Sequence, residues 1–329
     1  MYAASAIILL FVICTGVAYT VFVIMNDDPP PPATLPPTQV PTSSPTFSRE
    51  KVYRDQFVAT VGPQVDVRGT PQDLAAQWII FDDPRMLSAE DPGLVQRYLC
   101  ALFWFATTES GKKKWSSCNP PEQGESSACI FQRFNRLNND QVESIPEDAT
   151  RWLSKEHECE WIGNLCDDNL VSRVIEIWGQ NLTGPLPTEI AELPFLQAIS
   201  LPFNDFTGTI PSEYAGMRHL LSLELHDNAL TGTIPQKFWL ANALQNFNVG
   251  GNMLSGTLSS QVGLLTNLKG FHIYENMLDG TFPSEIGNLG FLSFMRCNRN
   301  VFNGTLPTQL FELTLWEFYI LRNLRGPSN

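Results

Sequence analysis

The apolar residues in the second half of the chain recur with a fixed period. From Leu193 to Glu312 a pattern of 24 residues repeats five times without an insertion or deletion, with apolar residues at positions 1, 4, 7, 9, 14, 18 and 22. All thirty-five of these sites are apolar, whereas a content of 43% apolar residues would place about fifteen there by chance. Such a period predicts a solenoid, because one repeat cannot bury its own apolar face and must stack on its neighbours.

The residues between the apolar sites predict the path of each turn. Positions 7 and 9 alternate with polar neighbours, which is the pattern of a short strand with one buried face. Glycine at position 16 allows backbone conformations that a Cβ forbids, and proline at position 19 excludes a regular helix or ladder pairing at that point. The asparagine at position 12 is expected to face inward and to bond backbone groups at the bend. These asparagines are Asn204, Asn228, Asn252, Asn276 and Asn300.

The string LxxLxxLxLxxNxLxGxIPxxLxx, as in Leu193–Gly216 and Leu289–Glu312, resembles the plant-type leucine-rich repeat. The resemblance implies an α/β repeat solenoid. Its shape would be a curved horseshoe with parallel β-strands on the concave face and a helical N-terminal cap. Gln180 replaces the asparagine in the preceding turn and Ser259 replaces one proline. Both turns are still expected to form, because their neighbours enforce them.

The turn that follows Glu312 departs from the pattern. Four of its residues fit positions 1, 4, 7 and 9: Leu313, Trp316, Tyr319 and Leu321. Position 12, however, is Leu324 instead of asparagine. We therefore predict an array over 169–329 with six 24-residue turns and an irregular last turn. Trp316, Phe318 and Ile320 are expected to be partly exposed there, because a terminal turn has no neighbour on one side.

Residues 49–168 are predicted to form a helical region that ends in a cap. Thr70-Pro71 has the features of a helix start, and regular structure is expected to begin there. A second helix is predicted from Asp91-Pro92 to near Thr107. Its apolar residues are Leu99, Leu102, Phe103 and Phe105.

The segment from Cys159 to Cys166 resembles the CxWxGxxC end of the cap on plant-type leucine-rich-repeat ectodomains. That resemblance implies a disulfide between these two cysteines. We also pair Cys118 with Cys129 on their local spacing. A zinc site is the weaker alternative, because His157 stands alone beside the cysteines.

The N-terminal 48 residues are predicted to lie outside the folded part. Residues 1–25 carry no charged side chain and are apolar enough to span a bilayer core, which requires about 20 residues. A cleaved secretory signal is the alternative, but such signals begin with a basic segment that is missing here. Residues 26–48 are a stalk rich in Pro, Thr and Ser. The cysteines, together with N-glycosylation sequons at Asn181 and Asn303, favour an array outside the cell on a single-pass plasma-membrane anchor.

Charge and motif content limit the classes of function. The formal net charge of -13 argues against nucleic acid or an anionic membrane surface as the main partner, since phosphate binding requires a basic face. GxSxG, HExxH, P-loop and kinase signatures are missing, and the histidines lack partners at motif spacing. We therefore expect no enzyme activity, no metal site and no cofactor.

The outward side chains of the strands form the candidate binding surface, because repeat proteins bind ligands on extended concave faces. Early turns carry acidic residues there and later turns carry basic ones, with exposed aromatic residues between them. Large aromatic residues and arginine are favoured interface anchors. The candidate ligand-binding residues are Glu176, Trp178, Phe203, Glu224, His226, Asn248, His272, Tyr274, Arg296 and Asn298.

These features predict a cell-surface module with a receptor-like or adhesion role that binds a protein, a peptide or a wall glycan. Any signalling would require a co-receptor, because no kinase signature is present. The alternative is a secreted inhibitor of an extracellular hydrolase, a role known for some plant-type repeat proteins. Retention of residues 1–25 in the mature protein distinguishes the two.

Overall fold

A computed structural model describes residues 49–116, 119–121 and 150–320, together with the backbone of four short strands. Those strands are Ile13–Cys14, Val17–Ala18, Gln132–Phe134 and Val142–Ser144. The chain divides into two compact units, Met1–Thr46 and Phe47–Asn329. The first two strands pair antiparallel with each other in the first unit, and the other two do so in the second.

Several predictions concern residues that are not described. Apart from the two strands of the first unit, the anchor at 1–25 and the stalk at 26–48 lie outside the described residues. Cys118 and Cys129 lie outside them too, so their bridge stays a prediction. Across the part of the chain that is described, no helix is both long enough and apolar enough to span a bilayer.

One sheet of eight strands runs through the second unit. Seven strands are parallel, one for each turn, and the eighth comes from the cap and pairs antiparallel with the first of them. In sheet order they are Glu317–Tyr319, Phe294–Arg296, Gly270–His272, Asn246–Asn248, Ser222–Glu224, Ala198–Ser200, Ser172–Glu176 and Asn164–Cys166. Ser222 pairs with Asn246 and Asn246 with Gly270, so the strand register equals the sequence period. We call the turn at 169–192 rung 1 and number the following turns rungs 2 to 7.

The apolar positions of the period form a continuous core between the rungs. In rung 3, Leu223 and Leu225 are fully buried, whereas Ser222, Glu224 and His226 beside them are partly exposed. Burial of each large apolar side chain contributes about 1.5–3 kcal/mol. The array is therefore held together by contacts that every rung shares with its neighbours.

The opposite side of the rungs carries a short strand in rungs 1 to 5 and a 3₁₀ helix in rungs 1 to 6. The strands are Thr183–Pro185, Asp205–Thr207, Thr231–Gly232, Met253–Thr257 and Met277–Asp279. The 3₁₀ helices are Thr188–Glu192, Ser212–Gly216, Gln236–Leu240, Ser260–Leu264, Ser284–Asn288 and Thr308–Glu312. Proline at position 19 precedes all but one of them, since its fixed φ suits a helix start. The exception forms as predicted, because the Ser259 hydroxyl accepts a hydrogen bond from the Gln261 N–H at 3.2 Å.

The asparagine at position 12 bonds the backbone of its own rung and of the preceding rung. Nδ2 of Asn252 donates to the carbonyls of Leu225 (3.0 Å), Val249 (3.1 Å) and Gly250 (3.1 Å). Its Oδ1 accepts from the Leu230 N–H at 2.9 Å. The same pattern is formed by Asn204, Asn228, Asn276 and Asn300. The predicted asparagine ladder is confirmed.

In the described residues before the array, three α-helices are present: α1 (Arg49–Val61), α2 (Pro71–Gln77) and α3 (Leu94–Thr107). A 3₁₀ turn (Pro63–Asp66) precedes α2, and a π-helical turn (Trp78–Asp82) follows it. Helix α2 starts as predicted, because the Thr70 hydroxyl accepts from the Asp73 N–H at 3.1 Å. The prediction that regular structure begins at Thr70 is wrong, since α1 begins at Arg49. Only Tyr53 and Phe57 of α1 are buried, so its apolar stripe is too narrow to stand out in the sequence.

A fully buried arginine connects α3 to the end of the cap. Nε and Nη2 of Arg97 donate to Asp83 at 2.8 and 2.7 Å, and Nη1 lies 3.3 Å from the Glu158 carboxylate. The guanidinium also lies over the rings of Trp78 and Trp161, 5.2 and 4.7 Å from their centroids. A buried charge requires such partners, because desolvation is costly. This network could not be predicted from the sequence, because its members are far apart in the chain.

Cys159 and Cys166 form the disulfide that the cap resemblance implies. Trp161, between them, is buried and packs 5.4 Å from the ring of Trp152. The cap strand that ends at Cys166 pairs with rung 1. The cap therefore covers the outer edge of the first parallel strand, which would otherwise be an open sheet edge.

The last described strand differs by one residue from the predicted register. Phe318 lies opposite Met295, and Tyr319 lies opposite Arg296. Rung 7 therefore reaches its strand one residue earlier than the other rungs do, and Phe318 instead of Tyr319 occupies position 7. A shift of one residue exchanges the two faces of a strand.

The shift places the more apolar side chains of rung 7 inward. Leu315 and Phe318 pack against the core, whereas Trp316 is 84% exposed and Tyr319 is 50% exposed. The predicted positions of Trp316 and Tyr319 are therefore wrong. The predicted partial exposure of Phe318 and Ile320 is confirmed.

Candidate ligand-binding face

The concave face of the eight-stranded sheet carries partly exposed side chains on each of rungs 1 to 6. They stand at positions 6, 8, 10 and 11 of the rungs, and we call them the inner strip. Hydrogen-bonded strands lie about 4.8 Å apart, so side chains of adjacent rungs contact each other. The strip contains all ten residues that the sequence analysis selected, and each is partly exposed: Glu176, Trp178, Phe203, Glu224, His226, Asn248, His272, Tyr274, Arg296 and Asn298.

The end of the inner strip next to the cap is acidic. Burial raises the pKa of the Glu224 carboxyl, and the nearby charge of Glu176 raises it further. The Ser222 hydroxyl donates to Glu224 at 3.1 Å, which favours the charged form. Trp178 of rung 1 donates its indole N–H to the Ser200 hydroxyl at 3.2 Å. A ligand at this end would meet a carboxylate beside an ordered aromatic ring.

Aromatic and amide side chains form contacts across the middle rungs. The rings of Phe203 and His226 meet edge to face, with their centroids 5.1 Å apart. Nδ1 of His226 lies 3.0 Å from Nδ2 of Asn248 on the next rung. Side chains of three neighbouring rungs are thus in contact with one another. The sequence predicted each of them as a candidate binding residue but did not predict these contacts.

Two consecutive glycines in rung 4 allow a further contact between rungs 3 and 5. A Cβ on Gly250 would lie 2.2 Å from the Tyr274 ring, and a Cβ on Gly251 would lie 2.6 Å from the Asp227 carboxylate. The Tyr274 ring therefore lies beside Gly250 and the Asp227 carboxylate beside Gly251, so the two side chains approach each other across this glycine pair. Burial, together with the Asp227 charge, raises the pKa of Tyr274 to about 12. This pair was not predicted from the sequence, although two adjacent glycines at positions 10 and 11 are a signal for it.

The far end of the inner strip is basic. The Arg296 guanidinium lies 5.4 Å from the centroid of the Tyr319 ring, which the one-residue shift of rung 7 brings opposite it. Arg299 forms an ion pair with Glu275 of the preceding rung. The strip therefore runs from carboxylates near the cap to guanidinium groups at rung 6. Within the described ranges, no group of three or more His, Cys, Asp and Glu side chains is placed to hold a metal ion.

A second regular surface lies on the other side of the rungs, next to the short outer strands. Thr209, Thr233, Thr257, Thr281 and Thr305 stand at position 17 of rungs 2 to 6, and we call them the threonine column. All five are exposed. A Cβ on Gly232 would lie 2.9 Å from Cγ2 of Thr209, and the methyls of Thr233, Thr257 and Thr281 lie as close to the glycine of the next rung. Within 150–320, none of the five hydroxyls has a hydrogen-bond partner.

Both N-glycosylation sequons lie on this outer side. Asn181 and Asn303 are exposed, and they stand at positions 13 and 15 of their rungs. Neither position belongs to the inner strip. Glycans at these sites would leave the concave face open.

The 24-residue period, the parallel sheet with one strand per turn and the disulfide-closed cap together define a leucine-rich-repeat protein with a curved solenoid fold. No family model and no curated protein matches the sequence.

Solved structures provide the similarities that were found. The plant peptide hormone receptor RGFR1 in complex with RGF2 is 32% identical over 46% of this chain and 25% of its own, with a TM-score of 0.45. The ectodomain of the Arabidopsis thaliana receptor kinase GASSHO1/SCHENGEN3, in complex with CASPARIAN STRIP INTEGRITY FACTOR 2, is 28% identical over 51% of this chain and 24% of its own, with a TM-score of 0.46. A plant ice-binding protein is 29% identical over 49% of this chain and 53% of its own, with a TM-score of 0.47. This chain spans about a quarter of the length of the two receptors.

Proposed function

We propose that this chain is a non-enzymatic ligand-binding module with a receptor-like or adhesion role, and that the inner strip binds an extended peptide or protein segment. The observation that carries the proposal is the row of ten partly exposed residues on one face of a parallel sheet. Because the strands are fixed by their neighbours, these side chains are ordered before a ligand binds, and preorganisation lowers the entropic cost of binding.

The chemistry of the inner strip supports a peptide or protein ligand. Its aromatic residues provide large contact areas, and its two ends carry opposite charge. Electrostatic complementarity of this kind selects partners and fixes their orientation. A peptide would accordingly place basic groups near Glu176 and Glu224, and acidic groups near Arg296.

The binding proposal is tested with a random-peptide display library and a set of soluble wall glycans, each applied to the purified chain. We expect a peptide to be enriched, and Phe203→Ala to weaken its binding by about 2 kcal/mol, as for an aromatic anchor. Phe291→Ala is the matched control, because Phe291 is 64% exposed at position 3, outside the inner strip. Equal effects of the two substitutions, or enrichment of glycans alone, would contradict the proposal.

We further propose that residues 1–25 anchor the chain in the plasma membrane, with the array outside the cell and a co-receptor as signalling partner. The Cys159–Cys166 disulfide supports this location, since disulfides persist in oxidising compartments. Extraction of membranes from a eukaryotic host at alkaline pH tests the anchor, and we expect the chain to remain in the pellet with residues 1–25 intact. Release of a shortened chain into the medium would instead favour a secreted inhibitor of a hydrolase.

A second candidate function is binding to ice, and the threonine column favours it. The column presents a methyl and a free hydroxyl on each of five rungs, at the spacing of hydrogen-bonded strands, about 4.8 Å. A regular lattice of this kind can order water into the repeating arrangement of an ice surface. None of the five side chains is charged, so no tightly held hydration shell opposes the contact.

Partition of the full chain between a slowly grown ice hemisphere and the remaining liquid tests this candidate. We expect enrichment in the ice, and loss of enrichment in Thr257→Lys, which places a strongly hydrated charge in the middle of the column. Thr266→Lys is the matched control, because Thr266 is exposed in the neighbouring rung but lies outside the column. Exclusion of the wild-type chain from ice, or equal partition of both variants, would contradict ice binding and leave the peptide proposal untouched.

A further inference from the structure

A histidine begins the short turn that carries the first cysteine of the cap. His157 is the N-cap residue of the 3₁₀ turn Glu158–Glu160, and its Nδ1 accepts a hydrogen bond from the Cys159 N–H at 3.1 Å. An N-cap side chain stabilises a turn by accepting from its unpaired backbone N–H groups. Nδ1 can accept only while it carries no proton, and a protonated imidazole has donors alone. The N-cap hydrogen bond of this turn therefore depends on whether the His157 ring is protonated.

The turn is a junction between α3, the disulfide and the array. Glu158 is fully buried and accepts from Gln96 of α3 at 3.0 Å. Its backbone carbonyl accepts from Asn164 Nδ2 at 2.9 Å. Asn164 begins the cap strand, and the residue before it, Gly163, accepts at its carbonyl from the N–H of Glu176 at 2.7 Å. A change in this turn therefore reaches the first residue of the inner strip through three hydrogen bonds.

Charged groups from three segments face the imidazole. Nδ1 lies 3.6 Å from the Glu158 carboxylate, which favours protonation, and Glu160 of the same turn acts in the same direction. Arg85, from the segment before α3, and Arg97 of α3 oppose protonation. Partial burial of the ring is the largest influence, and the pKa of His157 is lowered as a result. The ring is therefore neutral at neutral pH and in place to accept from Cys159.

Protonation would also change the pairing of Glu158. At neutral pH its carboxylate lies 3.3 Å from both Arg85 and Arg97. An imidazolium would offer Glu158 a third cation while repelling the two arginines. Acid would thus remove the N-cap hydrogen bond of the turn, and it would also disturb the buried ion pairs of Glu158 with the two arginines.

We propose that His157 is an acid-sensitive latch of the N-terminal cap, which holds the turn closed at neutral pH and releases it in mild acid. The direction follows from linkage. An unfolded histidine binds its proton near pH 6.5, whereas the folded group does so only at lower pH. The stabilisation by the neutral ring is therefore complete above about pH 6.5 and declines as the pH falls below it. Release would loosen the acidic end of the inner strip, while rungs further along remain folded.

Two substitutions at the same position separate the latch from a purely structural role. His157→Asn supplies an N-cap acceptor that does not titrate, and His157→Ala supplies none. The measurement is the rate at which a phosphine reductant opens the Cys159–Cys166 disulfide in the full chain, at about pH 7.5 and about pH 5. His219→Ala is the control, because His219 is exposed on the array and its ring contacts Phe195.

We expect the wild-type chain to resemble His157→Asn at neutral pH and His157→Ala in acid. Each value is taken relative to the reduction of a model disulfide peptide at the same pH, so that the chemistry of the reductant cancels. His219→Ala should follow the wild type at both values. The latch is refuted if the wild-type ratio between the two pH values equals that of His157→Asn. It is also refuted if His219→Ala removes the pH dependence.

Discussion

At the scale of single residues, position 12 and position 8 of a rung carry the same amino acid in different roles. Asn252, at position 12, is 8% exposed and serves four backbone groups of rungs 3 and 4. Asn248, at position 8, is partly exposed on the inner strip and contacts His226 and the Gly250 N–H. The difference arises from the bend of the chain after the strand, where backbone groups point into the solenoid and cannot reach water.

Asn252→Leu is expected to destabilise the array more than Asn248→Leu does. The first substitution leaves buried backbone groups without partners, which costs about 1–3 kcal/mol, whereas the second changes only a solvated face. Urea unfolding of both variants measures the difference. Equal losses of stability would show that the assignment of inward and outward positions is wrong.

Arg97→Met is expected to destabilise the cap strongly. The substitution leaves the buried carboxylates of Asp83 and Glu158 without their common cation, and a broken buried pair costs about 3–5 kcal/mol. Arg85→Met is the control, because the Arg85 side chain is 27% exposed and Glu158 keeps Arg97 as its partner. The tryptophan fluorescence of the cap, followed in denaturant, reports both variants. Similar midpoints for the two would disprove the central role of Arg97.

At the scale of elements, the cap and the rungs are stabilised in different ways. A rung takes its stability from identical contacts on both sides, and its short strand and 3₁₀ helix would not persist alone. The cap has no repeat to rely on. It uses the packed rings of Trp152 and Trp161, a buried ion network and the Cys159–Cys166 bridge to present one strand to rung 1.

Reduction of the Cys159–Cys166 disulfide is expected to lower stability by about 2–4 kcal/mol, because the bridge restricts the unfolded chain and holds the cap strand against rung 1. Thermal unfolding with and without a reductant measures the effect. Cys100 and Cys297 are buried free thiols and should not be labelled in the native protein. Mass spectrometry that finds Cys159 and Cys166 as free thiols, in protein from a secretory host, would contradict this prediction.

At the scale of the whole second unit, stability is expected to vary along the stack. Rung 3 has a neighbour on each side, whereas the strand of rung 7 pairs on one side only with a described strand. The large side chains around rung 7 are also more exposed than those of rung 3. Local opening requires least energy where few buried contacts must break.

Hydrogen exchange is expected to be fastest, within the parallel sheet, at the strand of rung 7. The amide of Phe318 should exchange before that of Leu223, which lies in the middle of the sheet and is fully buried. Mass spectrometry of a dilute monomeric sample measures both segments. Equal protection would mean that another part of the chain covers rung 7.

The sequence alone determined those features that depend on contacts between equivalent residues. A side chain at position 7, such as Leu223, meets position 7 of the next rung, so a 24-residue period reveals strand, register and core together. The asparagine ladder followed for the same reason. The ten residues of the candidate face were identified because period-2 alternation separates inward from outward positions. Their role in binding a ligand is a proposal that the period cannot decide.

Only the tertiary structure decided the features that depend on contacts between unlike segments. Charged residues are rarely buried, so the burial of Arg97 is not expected from its type. The sequence around Arg97 also does not predict that Asp83 and Glu158 are its partners. The contact of Tyr274 with Asp227 depends on the absence of side chains at an intervening rung. The early strand of rung 7 places Phe318 at the inward position, where it packs against the core, and the period alone had placed Tyr319 there. The sequence pattern determines the structure where each residue contacts the same position of the neighbouring rung. Tertiary packing determines the structure where segments of different sequence contact each other.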